Sequence, residues 1–379
     1  MPVVVLSAYQ VATKPEIGGH FWVYMQYAHA LRQLGCDVYW LERVPGAALS
    51  ESPWLIANFL KKMAGYGFGD KTLLYAIPEA KKGAAEFINT SASAAEAVFH
   101  RADLLVNFHY AIDRDVLARF RRTALIDIDP GLLQFWISRG QLDVAPHDHY
   151  LTTGETVGTA NSLIDDCGLP WLRIRPPVCL DLWPFTYEPE SRRFTTVSAW
   201  LGGEYVTENG HILYRNDKSI SFLRFSDLPT RTSSELELSI YLEGHKDRAD
   251  RILLEGKGWR VLHALDVANS PERYRAYIRS SRGEFSCAKP SCMAFQNAWV
   301  SDRTLCYLAS GKPVVVQHTG PSAYLPNGEG MFRFSTIEEA AEALAIIEND
   351  YERQCRTARE IAESFFDARI VLSDILDLA

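Results

Sequence analysis

Residues 299–320, WVSDRTLCYLASGKPVVVQHTG, constrain the fold of this chain more than any other stretch. They predict a short helix that opens at Ser301, closes at Gly311, and gives way to the buried strand Pro313-Val314-Val315-Val316. The Ser301 hydroxyl is placed to accept from free first-turn amides, and Asp302 suits the positive end of the helix dipole. Gly311 falls where a helix needs a left-handed residue, and Pro313 stops the helix from continuing. The strand then delivers His318, Thr319 and Gly320 to its carboxyl end, the edge at which open α/β sheets bind ligands.

The same strand–helix alternation runs through both halves of the chain. In the first half, 3–8 reads as a strand, 9–19 as a loop and 21–34 as a helix with apolar residues in a 3.6 rhythm. Strands follow at 38–41, 104–107, 124–128 and 149–152, with helices at 89–101 and 113–122. Residues 43–85 carry the weakest pattern, with a helix expected over 53–64. A segment containing Pro176, Pro177, Pro184 and Pro189 interrupts the alternation and reads as a linker. Beyond it, strands are expected at 194–198, 236–242, 259–262, 284–288 and 331–334. Helices are expected at 219–225, 248–255 and 271–280, and one long helix at 337–366. Such alternation on both sides of a hinge predicts two doubly wound, Rossmann-like α/β domains. The expected division is 1–175, a linker at 176–193, a second domain at 194–355, and helices at 356–379 that return to the first domain.

A chain of 379 residues suits two cores better than one. Its net charge of −8 argues against a nucleic-acid platform, which shows a basic stripe. The seven cysteines are scattered, without a CxxC pair or metal-ligand spacing, and are expected to be reduced and structural. Met1-Pro2 leads straight into a strand, and no apolar run reaches the about 20 residues that span a bilayer. A cytoplasmic protein is expected.

The 299–320 element resembles the sugar-nucleotide half of two-domain GT-B glycosyltransferases, in which a polar helix start precedes a small-x-Gly-x-Pro-Val-Val run. The two-domain pattern extends that resemblance over essentially the whole chain. It implies a transferase of carbohydrate or natural-product biosynthesis, with no cofactor beyond a nucleoside-diphosphate sugar as donor and a small-molecule or glycan acceptor. No metal is expected, because the Asp-x-Asp triplet that comes closest, Asp127-Ile128-Asp129, lies in the first half on the acceptor side. Many members place a ribose-binding Glu seven residues before the Pro. Here that position is Cys306, and Asp302, one turn earlier, is the available acid.

Candidate site residues follow from strand ends and from this resemblance. Gly18-Gly19-His20 occupies the first strand-to-helix turn, where the resemblance makes His20 a general base, and its bland reading is a helix-start packing residue. Asp127 and Asp129 end a strand and are possible partners of that base, or simply loop caps. Glu155 follows another strand on the acceptor side. In the second half, Gly202 and Gly203 form a turn able to cradle a diphosphate. Lys289 supplies a point charge there, with Lys218 and Arg303 as competing cations. Ser301, Asp302, Thr319 and Gly320 complete the donor side. GGH replaces GxGxxG, so dinucleotide binding is not supported. An epimerase of the same fold and a non-catalytic nucleotide-binding protein are the alternatives.

Overall fold

The computed structural model describes residues 1–77, 85–202, 205–208, 211–242, 244–245 and 247–378. The first unit runs β1 (Val3–Ala8), α1 (Gly18–Gln33), β2 (Asp37–Arg43), α2 (Gly46–Glu51), α3 (Pro53–Gly65), β3 (Thr72–Ala76), β4 (Glu86–Phe87) and α4 (Ala92–Arg101). It continues with β5 (Leu104–Asn107), α5 (Arg114–Leu117), β6 (Thr123–Asp127), α6 (Leu132–Ser138), β7 (His149–Thr152) and β8 (Trp171–Arg173). Among the described residues these strands form one eight-stranded sheet, ordered β4-β3-β2-β1-β5-β6-β7-β8. Every pairing is parallel except that of β3 with the short edge strand β4.

The second unit opens with β9 (Arg193–Ala199), the two-stranded ribbon β10 (Tyr205–Glu208) and β11 (His211–Arg215), α7 (Lys218–Arg224), β12 (Glu235–Tyr241) and α8 (Arg248–Gly256). It proceeds through β13 (Arg260–His263), α9 (Ala264–Ala268), α10 (Pro271–Arg279), β14 (Gly283–Ser286), α11 (Pro290–Phe295), α12 (Asp302–Ala309), β15 (Val314–Gln317) and β16 (Met331–Phe334). The helices α13 (Ile337–Asn349), α14 (Tyr351–Ile361) and α15 (Ala368–Leu376) close the chain. Its six-stranded sheet is wholly parallel, ordered β13-β12-β9-β14-β15-β16. Two separate, doubly wound sheets are the GT-B arrangement. Each reverses its winding beside its own first strand, between β1 and β5 and between β9 and β14, which is where such sheets open a crevice.

Local chemistry accounts for most boundaries. Ser91 and Ser270 cap α4 and α10 by accepting from Ala94 and Arg273 amides, and Pro271 occupies the first turn of α10. Thr336 and Glu339 form a capping box on α13. Gly311 has φ +70°, the left-handed end that its position after α12 required.

Three expectations are corrected. Ser301 holds the N-cap position of α12, but its hydroxyl makes no capping bond. The helix expected over 113–122 is only α5, because the Arg122 carbonyl already accepts from Leu105 in the sheet and Phe120 turns in against Phe99. The long helix at 337–366 breaks at Asp350, whose φ of −145° is not helical. There Tyr351 turns to place its ring 3.4 Å from the Arg282 guanidinium carbon and its hydroxyl on the Arg282 carbonyl. Tertiary contact overrides helix periodicity at that point.

The main apolar core does not stop at the boundary between sheets. Phe21, Trp22, Tyr24 and Met25 on α1 share one cluster with Tyr274 and Ile278 of α10 and Leu305 and Tyr307 of α12. Helix α15 lies on α1, and the segment before it is tied to the linker by Val178 N to Phe366 O (2.8 Å) and Ala368 N to Val178 O (3.0 Å). Each large side chain so buried contributes about 1.5–3 kcal/mol relative to exposure. The seven cysteines are free thiols. Among the described residues no helix is long and apolar enough to cross a membrane.

Candidate active site

The carboxyl ends of the two sheets enclose a cleft of about 860 Å³. From the first unit it is lined by the β1–α1 segment (Tyr9, Lys14, His20, Tyr24), by residues 108–111 after β5, and by Asp129 after β6. From the second unit come Lys289, Trp299 and Asp302. The reversal between β1 and β5 therefore opens toward the segment that follows β14.

His20 is half-buried at the start of α1, and its Nε2 lies 2.6 Å from the Tyr9 carbonyl oxygen. A carbonyl only accepts, so Nε2 carries the proton and Nδ1 keeps a lone pair. Burial lowers the His20 pKa, which keeps the ring neutral near pH 7. The orienting partner is thus a backbone carbonyl, not the carboxylate of Asp127. Asp127 is fully buried and accepts from Gln134 Nε2 (2.8 Å) and Thr152 Oγ1 (2.7 Å), joining the ends of β6 and β7 to α6. Burial raises its pKa to about 7. Asp129 does reach the cleft, where its Oδ1 stands 3.8 Å from Lys289 Nζ across the two units.

Asp302 faces the same space, and burial, with Asp129 adding to it, pushes its carboxyl up to about 6. Cys306 does not face it. Its side chain is 2% exposed, receives Gln26 Nε2 at 3.8 Å, and points its thiol at the Asp302 carbonyl (3.2 Å). The thiol is part of the seam between α1 and α12.

Several other predicted ligands have different partners. Gly18 and Gly19 give close approach to helix α10 rather than to a ligand. A Cβ on Gly18 would sit 2.3 Å from the Ser270 carbonyl oxygen, and one on Gly19 would sit 2.9 Å from the Tyr274 ring. Gly202 directs its amide to Asp217 Oδ1 at 2.6 Å, so that amide is not available to a phosphate. Gly203 lies outside the described residues. Arg303 is 7% exposed and bonds Glu284 Oε1 (2.7 Å) and the Val197 carbonyl (2.9 Å), a buried pair inside the second unit. Glu155 does not line the cleft and instead accepts from Ser322 Oγ and Ala323 N of the second unit.

Ser301 and Thr319 line a small cavity at the carboxyl ends of β14 and β15, together with Ser286, Gln317 and Arg333. Thr319 Oγ1 donates to the Trp299 carbonyl (2.7 Å), and the Gly320 carbonyl accepts from Arg333. Lys218, at the first position of α7, makes no ion pair or hydrogen bond among the described residues. Burial, reinforced by the Arg303 and Lys289 charges, lowers its pKa to about 7.

His109 was not singled out by sequence. It is 6% exposed, stacks on Tyr9 with centroids 4.9 Å apart, and has no partner for Nδ1 among the described residues. Burial lowers its pKa to about 4. Its signal was available: it stands two residues beyond the predicted strand 104–107, much as Asp129 directly follows the predicted strand 124–128.

The fold matches solved glycosyltransferase structures over the full chain. An α-glucosyltransferase bound to UDP and a 13-mer DNA aligns at TM-score 0.59 and 10% identity, covering 100% of this chain and 99% of that one. Anabaena HepE in complex with UDP-glucose aligns at 0.59 and 10%, with the same coverage. A glycosyltransferase from Rickettsia africae ESF-5 aligns at 0.54 and 10%, covering 100% and 97%. No protein-family model and no curated protein sequence matches the chain. The architecture is therefore that of a GT-B glycosyltransferase, and its chemistry rests on the site.

Proposed function

We propose that this chain transfers a sugar from a nucleoside diphosphate to an acceptor hydroxyl or similar nucleophile held in the cleft. The observation that carries this reading is the facing of His20, with its unprotonated Nδ1, and Lys289 with Asp302 across one enclosed space. Residues 1–175 form the acceptor side, 194–355 the donor side, 176–193 the linker, and 356–379 return to the first unit. The UDP and UDP-glucose held by the solved structures of this fold support the donor class.

In this mechanism His20 Nδ1 accepts the acceptor's proton as its oxygen attacks the anomeric carbon, and the bond from that carbon to the diphosphate breaks. His20 must stay neutral to do so, and its burial keeps it so. Lys289 Nζ stands 3.8 Å from Asp129 Oδ1. A diphosphate takes Asp129's place, with Lys218 adding positive potential as negative charge develops on the leaving group. Ser301, Asp302, Thr319 and Gly320 surround the remainder of the donor. The aromatic walls from Tyr9, Tyr24 and Trp299 limit water around the activated sugar.

The test is a product assay with UDP-glucose and related donors, in the presence and absence of a panel of sugar and phenolic acceptors. Sugar found on an acceptor supports the proposal. A donor epimerised without acceptor, or no donor turnover with any acceptor, contradicts it.

A further inference from the structure

Four loops from the two units meet beside the donor side, where polar bonds join them next to the apolar contact of Phe295 with Phe135. Glu155, after β7, accepts from Ser322 Oγ and the Ala323 amide, while its own amide donates to the Asn297 carbonyl at 3.0 Å. Asn297 is fully buried, and its Nδ2 donates to the Pro130 carbonyl after β6. The flanking residues Gln296 and Ala298 have φ of +49° and +58°, a backbone state that costs a non-glycine residue on the order of 1 kcal/mol or more. Such strain persists only where surroundings hold it. The strained turn in turn sets the loop after β15: Ala298 N donates to the Thr319 carbonyl (3.0 Å), and Thr319 Oγ1 donates to the Trp299 carbonyl (2.7 Å). Gly320 fits because a Cβ there would lie 2.3 Å from the Gln296 carbonyl oxygen.

We propose that Glu155 and Asn297 are positioning residues: from opposite sides of the cleft they clasp the 296–299 and 318–323 loops, so that the acceptor unit itself shapes the donor seat. The clasp consists of a carboxylate that accepts from one side chain and one amide, and of one buried carboxamide. It can be undone by single substitutions that leave the apolar seam between α1 and α10 intact. The proposal rests on the donor-site reading above.

The test compares wild type, Glu155→Ala and Glu155→Gln, each first shown by circular dichroism to be folded. Ligand-free amide hydrogen exchange is followed at 296–300 and 318–325, with β9 and β12 as internal references. Binding of UDP, ADP, GDP and dTDP is then titrated. Glu155→Ala should speed exchange in both loops by roughly tenfold or more, leave β9 and β12 unchanged, and weaken the preferred nucleotide by about tenfold, as the loss of hydrogen bonds to a charged group allows. Glu155→Gln should recover part of both effects, because its carboxamide oxygen still accepts from Ala323 N, while Ser322 Oγ, already accepting from the Tyr324 and Leu325 amides, loses its carboxylate acceptor. Unchanged loop exchange in Glu155→Ala overturns the clasp. Faster exchange with unchanged nucleotide affinity overturns the positioning role. Wild type that binds none of the four nucleotides overturns the donor-site reading and the positioning role with it, while the exchange data still judge the clasp.

Discussion

The base role proposed for His20 rests on one short bond. The Tyr9 carbonyl fixes the proton on Nε2 and aims the ring, a duty that carboxylates perform in other sites, and burial does the rest by keeping the imidazole neutral. Loss of a general base costs about 10²–10⁴ in rate. His20→Ala should therefore lower turnover by that order with donor affinity nearly unchanged, read by steady-state kinetics together with nucleotide titration. Near wild-type turnover would make His20 a packing residue. A second buried amine answers to pH instead of substrate. Lys312 is fully buried with no partner for Nζ among the described residues, and burial lowers its pKa to about 8. Because the unfolded chain keeps this amine near its ordinary value of about 10.4, the unfolded state binds more protons between those two values. Stability should thus rise with pH from about 8 toward about 10, relative to Lys312→Met, and that variant should be the more stable one at pH 7. Urea unfolding of both proteins at pH 7, 8 and 9.5 checks the sign. A difference that stays constant with pH would contradict it.

At the scale of elements, legibility followed the range of the forces involved. Strands such as Leu104–Asn107, His149–Thr152 and Met331–Phe334 were readable because a buried parallel strand is a short apolar run between turn signals. The end of α12 was readable because the left-handed Gly311 terminus is set locally, although the expected Ser301 hydroxyl cap does not form. The Asp350 break was not, since Tyr351 answers to Arg282, some seventy residues away in sequence. The site was half legible for the same reason. Strand ends flagged Asp129 and Lys289, the first strand-to-helix turn flagged His20, and the start of α12 flagged Asp302, all of which line the cleft. Sequence spacing could not say that Arg303 is spent on Glu284, or that the Gly18-Gly19 pair faces another helix rather than a ligand. That last assignment is testable. Gly18→Ala should force α1 away from α10 and lower stability by about 1–3 kcal/mol, the range for overpacking a close contact. A melting temperature equal to wild type would show that the two helices approach less closely than described.

For the whole molecule, the crevice at the first sheet's winding reversal faces Lys289, Trp299 and Asp302 of the second unit across one cleft. A core that crosses the boundary, through Trp22, Tyr274 and Tyr307, resists their separation. The linker and the returning α15 bind the far side, so adjustment is left to the polar loops around the cleft. On the proposed function the labour divides: one unit would supply a neutral base, the other cations and polar groups for a diphosphate. The most direct measurement of that claim is thermal stabilisation of wild type and Lys289→Ala by nucleosides, nucleoside monophosphates and nucleoside diphosphates. A ligand at a hundred times its Kd stabilises the folded state by about 2.7 kcal/mol. Wild type should gain most from one nucleoside diphosphate, and Lys289→Ala should lose that diphosphate increment while keeping its response to the nucleoside. Equal stabilisation of both proteins by every diphosphate, or none of either, would contradict the account.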